Sequence, residues 1–231
     1  MNKRIQMRNI VLKIILIMGL AVGVYLSFQQ SFPAILNSAS KTVQNTYIWT
    51  SIIAMFAGFI NIYYTTKRDV KFIYPDLINL IMTIVALFLA QTYSMIPLSF
   101  WGIIVGFIQY FDWKSNVTET GETKLLRVDK TAIYIMLAGA VVAFLIVGIL
   151  MIIGHEGQGL ITGAFTTGTG LIASFLLAKR YFIAEYIFFA LNVLMLSTYL
   201  ISGQFMLMIV PLVYFANNIV FLFFNRVSDY D

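Results

Sequence analysis

Eight apolar runs divide this chain, at residues 10–28, 47–64, 72–90, 93–111, 131–153, 159–178, 181–201 and 205–224. Each has roughly the 17–23 residues that a hydrocarbon core about 30 Å thick demands. Lipid offers no partner for backbone N–H and C=O groups, so each run must satisfy its own as an α-helix. The expected fold class is therefore all-α integral membrane with eight transmembrane helices. Composition agrees: 60% of residues are hydrophobic, only 11% are charged, and mean hydropathy is +0.87. Soluble domains carry about a quarter charged residues. The first run is long and lacks a small-residue cleavage site, so it is read as a helix and not as a signal peptide. With no cysteine, disulfides, thiolate metal sites and cysteine nucleophiles are excluded.

A net charge of +5 would suggest nucleic acid in a soluble protein. Here the basic residues lie in short loops, where they set topology instead, and the expected surroundings are the lipid bilayer, with no nucleic acid. Lys3, Arg4 and Arg8 precede the first run and Lys13 lies at its inner boundary, Lys67, Arg68 and Lys71 follow the second, and Lys114, Lys124, Arg127 and Lys130 follow the fourth. Lys179 and Arg180 follow the sixth, Arg226 follows the eighth, and only Lys41 falls on the other face. The positive-inside rule then predicts a multi-pass protein of the cell membrane with both termini cytoplasmic. The outer loop holding His155 carries the only histidine, which beside one glutamate is a weak metal signal and reads as solvent-exposed.

The runs repeat. Lys67-Arg68, then Asn79, then Pro97 in the first half match Lys179-Arg180, Asn192 and Pro211 in the second, to within a residue or so. Each block spans three helices, and the odd helix between them returns the chain across the membrane, so the blocks run parallel. The predicted organisation is an N-terminal helix and outer loop (1–46), a first three-helix repeat (47–113), an inner linker and linker helix (114–158), and a second repeat with a cytoplasmic tail (159–231). Parallel repeats are a recurring transporter plan, with substrate held midway between the halves.

The stretch 91–113 departs most from a plain span, with Pro97, Ser99, Gly102, Gly106, Gln109 and three large aromatics at Trp101, Tyr110 and Trp113. Small residues admit close helix neighbours, and an amide or indole needs a partner that lipid cannot supply. This segment reads as the wall of a polar cavity.

From about residue 58 to residue 224 the chain resembles the PnuC family of vitamin-precursor transporters. The resemblance lies in Leu77-Ile78-Asn79-Leu80, in Tyr93, and in Gln109-Tyr110-Phe111-Asp112-Trp113-Lys114, which is similar to the family's Gly-Trp-x-x-Trp-Lys ending. In the second half Ala178-Lys179-Arg180-Tyr181, Glu185, Asn192-Val193, Tyr199 and Gly203 follow the family's basic turn, acidic residue, Asp/Asn-Val and Tyr…Gly pattern. Tyr110 and Gln109 stand where Trp and Gly are usual, and Tyr93-Ser94-Met95 replaces Tyr-Gly-Asp. The resemblance implies two three-helix bundles around a linker helix, and facilitated uptake of nicotinamide riboside or a related B-vitamin precursor.

Such a ligand needs aromatic faces for its ring and amides or hydroxyls for its polar atoms. The candidate substrate-binding residues are Asn79, Trp101, Gln109, Tyr110, Trp113, Phe188, Asn192, Tyr199, Tyr214, Asn217 and Asn218. Trp101, Tyr110 and Phe188 are expected to stack the ring, and Gln109, Asn79 and Asn192 to bind polar atoms. The alternative for Asn79 and Asn192 is a pair of interhelical hydrogen bonds worth about 0.6–2 kcal/mol each. The acids Asp76, Asp112 and Glu185 are expected near the cytoplasmic ends of spans, which leaves no ionisable group at mid-membrane and favours passage without ion coupling. No phosphate-binding loop is present, and no cofactor or metal is implied. Other readings are a substrate-binding membrane subunit of an ATP-driven vitamin importer, which the repeat disfavours, and an intramembrane enzyme, for which no catalytic set exists. A purely structural membrane protein would leave the repeated polar residues unexplained. Self-association into a homo-oligomer is left open.

Overall fold

The computed structural model describes residues 3–28, 33–118, 123–153 and 160–224, and His155 lies outside them. Among the described residues there are eight α-helices: α1 (Lys3–Phe28), α2 (Lys41–Thr66), α3 (Ile73–Leu89), α4 (Ile96–Lys114), α5 (Lys130–Ile153), α6 (Leu160–Ala178), α7 (Ala184–Ile201) and α8 (Phe205–Phe224). Seven are long and apolar enough to cross a membrane, and α8 contributes a shorter apolar stretch, Phe205–Ile219. The chain is a multi-pass membrane protein. Each apolar run became one helix, with boundaries moved by local chemistry. The second helix starts six residues earlier than hydropathy suggests, because Ser40 caps it by accepting the Val43 N–H. The seventh starts at Ala184 instead of Tyr181, because Arg180 turns the chain through a left-handed φ of 66°.

α2, α3 and α4 pack in sequence, as do α6, α7 and α8. The two groups meet reciprocally: α4 lies on α6 and α2 lies on α8. α5 packs on α6, and α1 lies across α8 and α2, where Leu12 buries among Met55, Phe59, Ile62, Ile209 and Val213.

The backbone repeats itself at a spacing of 112 residues. Arg68 and Arg180 both take left-handed φ values, 54° and 66°, just after α2 and α6. Gln91 and Gly203, also 112 apart, do the same after α3 and α7 at 55° and 70°. Each turn closes with the same pair of hydrogen bonds: Arg68 N–H to Thr65 O and Asp69 N–H to Tyr64 O in one, Arg180 N–H to Leu177 O and Tyr181 N–H to Leu176 O in its counterpart. These bonds satisfy carbonyls that a helix end leaves without partners. Three of the four residues are not glycine, so each bears about 1–2 kcal/mol of steric cost that the capping bonds offset.

The same register holds where the groups meet. A Cβ on Gly58 would come within 2.9 Å of Val210 on α8, and one on Gly170 within 2.4 Å of Leu98 on α4. Gly58 and Gly170 are equivalent at the 112 spacing, as are Leu98 and Val210, so two matched glycine contacts let the helices approach. In this register Asn79 answers to Leu191 and Pro97 to Ile209. The basic turns are true equivalents; the Asn and Pro pairs noted in sequence lie one and two residues out of step.

Candidate substrate-binding cavity

Between the two helix groups lies a cavity of about 220 Å³. Helical periodicity selects its wall. α4 contributes Ser99, Gly102, Gly106, Gln109 and Trp113, and α7 contributes Glu185, Phe188, Asn192, Met195 and Tyr199. Both sets advance in steps of three and four, the signature of a single helix face. α3 adds Asp76, Asn79 and Thr83, α2 adds Asn61 and Thr65, and α8 adds Tyr214, Asn217 and Asn218.

A polar arc crosses four of these helices. Asn61 Nδ2 donates to Asp76 Oδ1 at 2.6 Å and to Tyr214 Oη at 2.9 Å, while its own Oδ1 accepts from Thr65 Oγ1 at 2.8 Å. On the other side Asn192 Nδ2 donates to Asn218 Oδ1 at 2.8 Å, and Asn218 Nδ2 donates to Glu185 Oε2 at 2.7 Å. Arg68, which also lines the cavity, interacts electrostatically with Glu185. Tyr214 and Asn218 stand four residues apart on α8, so one face of that helix serves both halves of the arc. Gln109 is 7% exposed and its side-chain amide bonds to no described residue, and Asn217 Oδ1 is buried without a partner among the described residues. Unpaired amides in a protein interior are costly. Gln109 turns its amide to the cavity.

Nine of the residues expected from sequence line this space: Asn79, Gln109, Trp113, Phe188, Asn192, Tyr199, Tyr214, Asn217 and Asn218. Trp101 and Tyr110 do not. Trp101 lies off the α4 cavity stripe and donates its indole N–H to Leu171 O on α6 at 3.2 Å, with its ring against Phe175. Tyr110 packs beside Phe111 with the Lys114 ammonium 5.5 Å from its ring centroid. Of the three rings expected to stack a ligand, only Phe188 faces it. Trp113 also spends its N–H on α6, at Leu177 O, and packs edge-on against Phe72. Asn79 donates to Ala54 O of α2 at 2.7 Å, so it and Asn192 are interhelical bonds and cavity lining at once.

Asn61, Asp76 and Glu185 were not among the expected site residues. Asp76 and Glu185 do sit in the first turns of α3 and α7, near helix ends as expected, but their carboxylates turn into the cavity wall. Ionisable groups therefore border the cavity even though they stand at helix ends. The signal was available: each acid falls on the three-and-four spacing of its helix's polar stripe. At the far end of the cavity Gln204 Nε2 donates to Thr92 Oγ1, joining two residues that are equivalent at the 112 spacing.

The family described as nicotinamide mononucleotide transporter matches residues 48–225, well over half of the sequence. The chain belongs to that family. Membership begins at α2 and leaves α1 outside the matched region. Among solved structures, the crystal structure of the vitamin B3 transporter PnuC is similar, with a TM-score of 0.73 at 15% identity over 97% of this chain and 93% of that one. At that identity the likeness is one of fold. No curated protein matches the sequence. A transporter family, helices long and apolar enough to cross a membrane, and a polar cavity between two matched helix groups are mutually consistent.

Proposed function

We propose that the chain carries nicotinamide riboside or a related B-vitamin precursor across the cell membrane by facilitated diffusion, binding it midway between two helical repeats. Consumption of the substrate in the cytoplasm then maintains the gradient. The repeats are residues 47–113 and 159–231, with 114–158 as linker and 1–46 as an added N-terminal helix and outer loop. Both termini face the cytoplasm, and the chain is not an enzyme.

The polar arc carries this reading. A volume of about 220 Å³ is below the roughly 300–1,000 Å³ of drug-sized sites and suits one small molecule. Phe188 supplies a ring face, and Gln109 offers a free amide group for a hydroxyl or a carboxamide. Asp76 and Glu185, held by Asn61 and Asn218, place carboxyl groups beside the cavity, and a pyridinium ring there would favour their charged form. An anionic group would find only Arg68 among the lining residues to balance it.

The experiment is a thermal-shift screen of the purified protein against nicotinamide riboside, nicotinamide mononucleotide, riboflavin and thiamine, since a bound ligand raises apparent stability with the logarithm of its saturation. A shift with nicotinamide riboside is the expected result. A shift with riboflavin or thiamine alone would reassign the substrate, and none from all four would remove the vitamin reading.

A further inference from the structure

The two ends of the cavity are closed in different ways. At the end away from the basic turns, equivalent turns touch directly through Thr92 and Gln204. At the end with the basic turns, Arg68 and Arg180 are equivalent, but a piece of the inner linker bridges them. Thr123 Oγ1 donates to Arg68 O at 3.1 Å. Leu126 N–H donates to Arg180 O at 2.6 Å, Phe182 N–H donates to Leu126 O at 3.0 Å, and Arg180 Nη1 donates to Lys124 O at 3.3 Å. Between these attachments Leu125 points inward, 2% exposed, against Phe182 and into the cavity wall.

We propose that residues 123–126 form the inner gate of the cavity, with Leu125 as its plug. This rests on the reading that a solute passes through the cavity between the two repeats. A loop outside both repeats supplies a lining side chain, so the cavity is incomplete without it. Any opening on this face must part the Arg68 and Arg180 turns, and residues 123–126 are hydrogen-bonded to both. The segment is also tied to the chain just past α4, where Lys124 N–H donates to Asn116 O at 3.3 Å, and the Arg180 turn is itself held to α4 by an ion pair from Arg180 Nε to Asp112 Oδ2 at 2.6 Å. Opening on this face therefore parts the bond from Thr123 to Arg68 O, and Leu125 leaves the cavity as the segment lifts.

The absence of cysteine makes thiol chemistry selective. The first test places a single cysteine in the wall, Ser174→Cys, and measures its labelling by a membrane-impermeant maleimide applied to the face with the basic turns. Labelling is expected to rise severalfold when Leu125→Ala or Thr123→Val is added; an unchanged rate in both backgrounds overturns the gate. The second test joins Thr123→Cys to Asp69→Cys with a short reducible bis-thiol linker and follows nicotinamide riboside uptake into proteoliposomes. Uptake should stop when the bridge is made and return when it is reduced, and uptake indifferent to the bridge overturns the gate. Labelling that responds to Leu125→Ala in a protein that takes up nothing in any state would leave the gate standing and refute the transport reading.

Discussion

Gln109 and Trp101 stand eight residues apart on α4 and have opposite roles. Gln109 faces the cavity with its amide unbonded, whereas Trp101 is committed to Leu171 O on the neighbouring helix. Gln109→Ala should therefore weaken nicotinamide riboside binding by about tenfold, the loss of one hydrogen bond of roughly 1.5 kcal/mol, while thermal stability without ligand stays unchanged. Titration calorimetry beside a melting curve separates the two. Trp101→Phe should do the reverse, keeping affinity and lowering stability by about 1 kcal/mol. Asn61 is a third case. Its amide serves Asp76 and Tyr214 together, so Asn61→Leu should lower both stability and affinity, because a carboxylate in the cavity wall loses its donor.

Helix faces decided which polar residues gather. Ser99, Gly102, Gly106, Gln109 and Trp113 form one stripe of α4. Trp101 stands three residues after Leu98 and Tyr110 four after Gly106, both lining residues, so spacing does not separate them from the cavity; packing of Trp101 on Leu171 and Phe175 and of Tyr110 beside Phe111 does. The close approaches between helices are equally specific. Gly170→Leu drives a branched side chain into Leu98, where a Cβ already meets an atom at 2.4 Å, and should destabilise the protein by about 1–3 kcal/mol through overpacking. Gly148→Ala, at a site with nothing within 4 Å of the added carbon, should be neutral or slightly stabilising because it removes a glycine from a helix. Denaturation of the two variants in the same detergent gives the comparison.

For the whole molecule, the cavity acids bear on how transport is driven. As counter-charges for a cationic ring they require no ion flux, so uptake into liposomes should follow the substrate gradient and respond little to an imposed proton or sodium gradient. A strong response would mean that Asp76 or Glu185 carries the coupling ion. Membrane class, eight helices and the matched basic turns were legible in the sequence, because hydrophobic length and positive charge act locally and need no tertiary partner. It also marked most of the cavity amides, since an Asn or Gln within an apolar helix must face protein or a polar space. Tertiary packing alone made Trp101 and Tyr110 face away and brought Leu125 to the cavity from a loop. Those outcomes depend on which helix faces meet and how far the chain folds back, and contacts between residues such as Asn61 and Tyr214, far apart in sequence, are set by packing and not by any local pattern.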